Sequence, residues 1–372
     1  MSRRTLGAIA GVVAAIGCCG LPSCDDRGEA RDIRASSRFD SLKHARVRPG
    51  DVDRHALVTP PPDPTGALTR DTVECQFVPR ATGGTSFKFE CALAGGEIVR
   101  VKYGHEPEIH AEVAATRLLT ALGYATDHMY LVPRLRCHGC PANPFVTMLV
   151  LDKIGLGSAD LKGWRHGFKD FEWVAVERKF EAPAIEDDSH QGWAWWELKY
   201  VDAPRDELDA LRLLAVFLAH WDNKADNQRL VCLDADAAPV VVASGFSRTF
   251  SRTCREPLLM IQDLGSTFGP MKVNLSQWRE TPVWIDRAAC AVSMKALPYQ
   301  GGTFTDARIS EAARRRVGDE LSSFSDAELR TWLAAARFPQ YYASTDDQKD
   351  MDAWLQAYRR RVSQILAAGP CS

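Results

Sequence analysis

The sequence has almost no excess of charge. Its 46 Lys and Arg stand against 48 Asp and Glu, for a formal net charge of −2. That balance removes the electrostatic footprint of a nucleic-acid binder and of a polybasic membrane surface. Internal repeats and low-complexity blocks are also missing after the first 70 residues. A C-x-x-C pair occurs at Cys137-His138-Gly139-Cys140, but no second C-x-x-C or H-x-x-x-H completes four zinc ligands, so no structural zinc is expected there. The longest uncharged apolar stretch, residues 6–20, is short of the roughly 20 residues that a membrane-spanning helix needs.

What is present is an ordinary globular composition, 372 residues with 45% hydrophobic and 25% charged, enough for one large or two modest domains. Arg3 and Arg4 precede the apolar stretch, and small residues and cysteines follow it. Residues 1–24 therefore read as an export signal, with an uncleaved membrane anchor as the alternative. The settings of Cys18 and Cys24 are each an imperfect match to a lipoprotein cleavage box, so a lipidated cysteine and plain cleavage both stay open. Removing Cys18, Cys19 and Cys24 leaves eight cysteines, an even count that suits disulfides in an oxidising compartment without fixing the pairing. For Cys137 and Cys140 the expectation is a local disulfide or two separate ones.

Residues 25–70 are charged, poor in apolar runs and end in Pro60-Pro61-Pro62-Asp63-Pro64, the composition of a flexible tether. After it, β-prone stretches at 75–78, 87–93 and 98–103 are separated by the pairs Gly83-Gly84 and Gly95-Gly96, which fits an antiparallel meander. Residues 108–122 switch to helical spacing, with Gly123 as the stop, and two further strands are expected at 129–135 and 145–151. This gives an α+β unit over 71–152. From 153 to the C-terminus the pattern is mostly helical, with helices at 206–220, 309–316, 326–336 and 351–367. The tryptophan-dense stretch 160–203 has no clean period and reads as an insertion, with packing into the core as its ordinary fate and a sugar or peptide platform as the alternative.

Directly after the helix at 206–220 stands His220-Trp221-Asp222-Asn223-Lys224-Ala225-Asp226-Asn227, an H-x-D-x-K-x-x-N string. Taken alone, it could be a polar cap and turn. Further on, the apolar run 257–261 leads into Gln262-Asp263-Leu264-Gly265, and upstream Val99-Arg100-Val101-Lys102 lies on the third β-stretch. Together these resemble the catalytic loop, the D-F-G segment and the V-A-I-K strand of the protein-kinase-like superfamily. The distance from Asn227 to Asp263 is longer than in typical protein kinases, with 240–243 and 246–254 suggesting an inserted hairpin or loop. In this the chain is more similar to the HipA-like, phosphatidylinositol-kinase-like and secreted-pathway branches.

The resemblance spans roughly residues 82–355 and implies a two-lobed kinase-like fold, a small β lobe with one helix and a larger helical lobe, binding nucleotide in the cleft near the link 151–154. It implies ATP with Mg2+ or Mn2+ as cofactors. His220, Asp222 and Lys224 are the implied catalytic residues, Asp222 accepting the acceptor's proton and Lys224 facing the transferred phosphoryl. Asn227 and Asp263 would hold the metal. Lys102 would grip the phosphates and pair with Glu112, or alternatively with Glu108, while Gly83, Gly84, Thr85 and Ser86 would cover the phosphates with free backbone N–H groups. That segment lacks the G-x-G-x-x-G pattern. The acceptor would be a hydroxyl of a protein, a sugar or a small molecule, and no nucleic-acid partner is implied. Membrane association would run through the N-terminus. Two alternatives remain: an exported pseudokinase serving as a binding module, and a kinase-fold AMP transferase.

Overall fold

A computed structural model describes residues 33, 34, 36, 38–156, 167–187, 190–234, 254–269, 273–294, 306–338 and 350–371. The expected export signal, Trp164 and most of the expected insert between Asn227 and Asp263 lie outside the described residues. Among those described, no helix is long and apolar enough to cross a membrane.

The fold is α+β. Five strands close into a barrel: β1 (Thr72–Val78), β2 (Lys88–Leu93), β3 (Ile98–Lys102), β5 (His128–His138) and β6 (Phe168–Arg178), ordered β1-β2-β3-β6-β5, with β5 parallel to β1. Strict alternation along β1 sends Val73, Cys75 and Phe77 inward against Phe89, Val101 and Val132, the period-2 pattern of a strand with one face in a core. α3 (Glu108–Ala121) follows β3 and packs against β5 and β6. It ends at Gly123, whose φ of +82° and contact with the Gly50 backbone leave no room for a side chain.

Two expectations about this half of the chain are corrected. Residues 145–151 form no strand but belong to α4 (Pro144–Lys153), capped by Asn143, whose side chain accepts from the Val146 N–H, with Pro144 at the first helical position. Its buried residues Pro144, Phe145, Met148 and Leu151 recur at helical spacing, a period that a short apolar run conceals. The strand that completes the barrel is instead β6, beyond the expected boundary at 152 and inside the stretch 160–203 expected as an insertion. The link between barrel and helices accordingly follows Arg178 rather than lying at 151–154.

The expected tether is also corrected over its described part. α1 (Phe39–Lys43) and α2 (Arg54–Val58) lie here, and Ile33, Leu42, Val47 and Leu57 are all buried in the main core. Arg38 forms a buried ion pair with Glu197 and donates to the Gly192 carbonyl. These apolar residues come singly rather than in periodic runs, so the stretch reads as polar although each anchor finds a pocket.

The remaining core is built by β4 (Ala125–Thr126), α5 (Arg205–Leu218), β7 (Gln228–Cys232), β8 (Pro257–Ile261), α6 (Leu275–Glu280), β9 (Ala291–Val292), β10 (Ala307–Arg308), α7 (Glu311–Ser323), α8 (Asp326–Ala335) and α9 (Met351–Leu366). β8 is central in the sheet β4-β8-β7 and is buried at all five positions, as a strand covered on both faces must be. Ser310, Ser325 and Asp350 cap α7, α8 and α9 with their side chains. Trp193 and Trp195 are core residues, their indole N–H groups donating to the carbonyls of Met260 and Asn223 at 3.1 and 2.9 Å.

All eight cysteines beyond the N-terminal three pair, as Cys75–Cys91, Cys137–Cys140, Cys232–Cys254 and Cys290–Cys371, the bonding of an oxidising, exported setting. The first two lie side by side because Cys75 and Cys137 are partners in the β1–β5 register.

One buried cation anchors the helical half. Arg361 of α9 donates to the carbonyls of Val216 and Phe217 at the end of α5, at 2.9 and 3.0 Å, and to those of Trp278 and Thr281, both at 2.6 Å. It thereby satisfies last-turn carbonyls that a helix leaves unpaired and places positive charge at the negative end of the α5 dipole. Arg361→Met keeps most of the volume but strands these acceptors, and is expected to lower stability by about 2–4 kcal/mol in urea denaturation.

Candidate active site

The H-x-D-x-K-x-x-N string begins where α5 is forced to stop. Ala219 takes a left-handed conformation with φ of 53°, and the Phe268 N–H caps the Leu218 carbonyl at 2.7 Å. His220 then turns inward. It is 1% exposed and lines a small apolar cavity with Leu119, Leu211, Leu214 and Leu264. Burial holds its imidazole neutral, with a pKa lowered to about 4. The ring of His220, expected among the catalytic residues, thus lies buried beneath the loop and forms its floor.

After His220 the chain surfaces and is pinned at each step. Asn223 Nδ2 donates to the His220 carbonyl at 2.7 Å, and Trp221 N–H donates to the Ser266 carbonyl at 3.3 Å. Asn227 Nδ2 donates to the Asp222 carbonyl at 2.8 Å, a bond that engages the nitrogen of the amide and not its oxygen. The Asp222 carboxylate is one-third exposed, and Lys224 Nζ stands 3.8 Å from its Oδ1 with its own side chain mostly in solvent. A backbone bond from Gln262 N–H to the Asn227 carbonyl, 3.2 Å, ties this loop to the segment carrying Asp263.

Lys102 leaves the end of β3 and is 5% exposed. Its Nζ lies 2.5 and 2.7 Å from the two Glu112 oxygens and 3.1 Å from Asp263 Oδ1. Three elements thus meet at one ammonium: a barrel strand, α3, and the turn after β8. Burial acts to lower the Lys102 pKa, but Glu112 and Asp263 outweigh it and hold the group charged, well above the ordinary lysine range. Lys102 in turn draws the Asp263 carboxyl down to about 2. Asp263 sits at φ of 50°, in the left-handed region that aspartate enters more readily than most non-glycine residues.

Glu112, not Glu108, is the partner of Lys102. Glu108, one helical turn earlier, accepts instead from Ser86 Oγ at 2.5 Å, so the segment 83–86 is tied to the start of α3. Gly265 packs against that same turn, where an added Cβ would come 3.1 Å from Glu108 Cβ and 3.3 Å from its carbonyl oxygen. Gly83, Gly84, Thr85 and Ser86 form the bend before β2.

The sequence reading passed over Lys88. It opens β2, lies directly opposite Lys102 in the β2–β3 register, and feels the charges of Lys102, Asp263 and Glu112. Its spacing of two residues from Ser86, at the start of a strand, was the available signal, hidden because a lysine at a strand end is ordinarily solvated. The supports from Arg361 and Trp195 were also missed, since both depend on contacts distant in sequence.

Lys102→Met leaves Glu112 buried without its counter-charge and is expected to cost about 3–5 kcal/mol in chemical denaturation. Lys102→Met combined with Glu112→Leu is expected to recover most of that loss; equal destabilisation by the single and double variants would mean the pair does not hold α3 on the barrel.

No family model matches the sequence, and no curated protein matches it. Among solved structures, the chain is similar to a proinflammatory kinase of Helicobacter pylori, CtkA, at 11% identity and a TM-score of 0.41, covering 79% of this chain and 94% of that one. It is similar to a Golgi casein kinase with Mn and ADP bound at 11% identity and a TM-score of 0.37, over 84% of this chain and 74% of the other. A second structure of the Golgi casein kinase is similar at 12% identity and a TM-score of 0.36, over 84% and 73%.

Proposed function

We propose that the chain is an exported, two-lobed, kinase-like phosphotransferase that uses ATP and a divalent metal, Mg2+ or Mn2+, to modify a hydroxyl of a protein, sugar or small molecule. The observation that carries this reading is the convergence of Lys102, Glu112 and Asp263 beside a loop that presents Asp222 and Asn227. Phosphoryl transfer asks little covalent chemistry of a protein. It asks for fixed charge and fixed distance, and the bonds around this loop supply both.

Each group has a role on this reading. Lys102, kept charged and held in place by Glu112, meets the phosphates. Asp263, kept ionised by Lys102, and the amide oxygen of Asn227 are hard oxygen donors of the kind that Mg2+ and Mn2+ take. The backbone bond from Gln262 to Asn227 ties the loop of Asn227 to the residue before Asp263. Bound there, the metal would neutralise charge on the phosphates. Asp222, partly solvated at the mouth of the loop, orients the acceptor hydroxyl and takes its proton, while Lys224 faces the transferred group. The barrel and the helical half form the two lobes, and the segment 83–86, fastened to α3 through Glu108, forms the cover. The N-terminal residues 1–24 direct export, with Cys18 or Cys24 as the candidate lipidation site.

The test separates binding from chemistry. Asp222→Asn removes the base and keeps the shape; it is expected to fold and bind ATP as wild type does while transferring phosphate at least about a hundredfold more slowly. Asp263→Ala is expected to abolish the metal dependence of ATP binding in calorimetry. Radiolabel transferred from the α- rather than the γ-phosphate would replace the reading with AMP transfer, and unchanged turnover in Asp222→Asn would remove that residue from the mechanism.

A further inference from the structure

Lys88 has no evident structural purpose. In the antiparallel pairing of β2 with β3 it stands opposite Lys102, and opposed residues of such a pair project to the same face, where like charges repel. Lys102 is compensated by two carboxylates. For Lys88, among the described residues, no carboxylate lies within ion-pair distance. Burial lowers its pKa first, and the neighbouring Lys102 lowers it further, with Asp263 and Glu112 offsetting only part of the shift. A lysine in this position costs the fold both desolvation and repulsion, while a strand end could carry many other residues.

The space around its ammonium is shaped by glycine. A Cβ on Gly84 would come 2.9 Å from Lys88 Nζ and 3.7 Å from its Cε, and Gly84 has φ of +84°. The backbone at Gly84 therefore passes close to the ammonium, so N–H groups of this bend and a cation can border one gap. Glycine is the residue that permits so close an approach, and backbone N–H groups with a cation form an anion site.

We propose that Lys88 is a second phosphate-holding lysine, gripping the phosphates of the bound nucleotide from β2 beside Lys102 and beneath the 83–86 bend. This rests on the kinase-like reading and adds to it a specific residue and ligand, the polyphosphate chain. Bound phosphate would offset the repulsion between the two ammoniums, so the site is strained when empty and relaxed when filled.

The experiment uses the full chain, Lys88→Met and Lys88→Arg, with calorimetric titration of Mn-ATP and of Mn-tripolyphosphate, and melting without ligand. Lys88→Met is expected to weaken both ligands by about tenfold or more, the loss of a charge-assisted contact, while Lys88→Arg keeps most of the affinity. Without ligand, Lys88→Met is expected to melt no lower than wild type, an outcome that a purely structural lysine would not give. Wild-type affinity for both ligands in Lys88→Met overturns the proposal and leaves the kinase-like reading standing, and so does a ligand-free melt well below wild type. Tripolyphosphate binding that depends on Lys88, without any ATP binding, keeps the phosphate site and removes the kinase-like reading. A wild-type protein that binds neither ligand overturns both.

Discussion

The buried ammonium of Lys102 is the constraint from which the site's geometry follows. A charge taken out of water must be paired at close range or the fold cannot bear it. Lys102 is paired twice, by Glu112 from α3 and by Asp263 from the turn after β8. Because the partners come from a barrel strand, a helix and the central strand of a different sheet, satisfying one charge also sets the relative position of all three. The ion cluster is thus a distance constraint as much as a store of energy.

The loop of Asp222 is fixed by a different physics. Its position depends on hydrogen bonds to carbonyls that would otherwise be orphaned: Arg361 on the end of α5, Trp195 on Asn223, and the side chains of Asn223 and Asn227 on the loop's own backbone. His220 closes the underside as a neutral, buried ring. Polar groups that face solvent are few in this loop, and Asp222 and Lys224 are among them.

The joining of the halves explains why the stretch before β1 is structured. Leu42, Val47 and Leu57 enter the main core, Arg46 exchanges backbone hydrogen bonds with β8 at Pro257 and Leu259, and Asp53 N–H bonds to the Ala121 carbonyl. This segment runs along the edge of the β8 sheet and the end of α3, two of the elements that carry site residues. Its contribution is to hold the Glu112 helix and the Asp263 strand against each other from behind.

The sequence by itself determined the local structures whose signal is local. The period of 206–220, the β-prone stretches at 75–78, 87–93 and 98–103, and the string from His220 to Asn227 could all be read, because each depends on residues a few positions apart. The candidate ligands Lys102, Glu112, Asp222, Asn227 and Asp263 were legible for the same reason, through short motifs. Tertiary structure alone decided which glutamate meets Lys102, since Glu108 and Glu112 lie one turn apart on the same helix and only the seating of α3 against the barrel separates them. It also decided that 145–151 is helix, where Asn143 competes as a cap against an apolar run equally suited to a strand. The closing strand Phe168–Arg178, the disulfides Cys75–Cys91, Cys232–Cys254 and Cys290–Cys371, and the burial of the residues before β1 likewise required contacts across long stretches of chain. Sequence carries chemistry and short-range periodicity; the choice among partners of equal chemistry is made by packing, because only the folded chain brings them within reach.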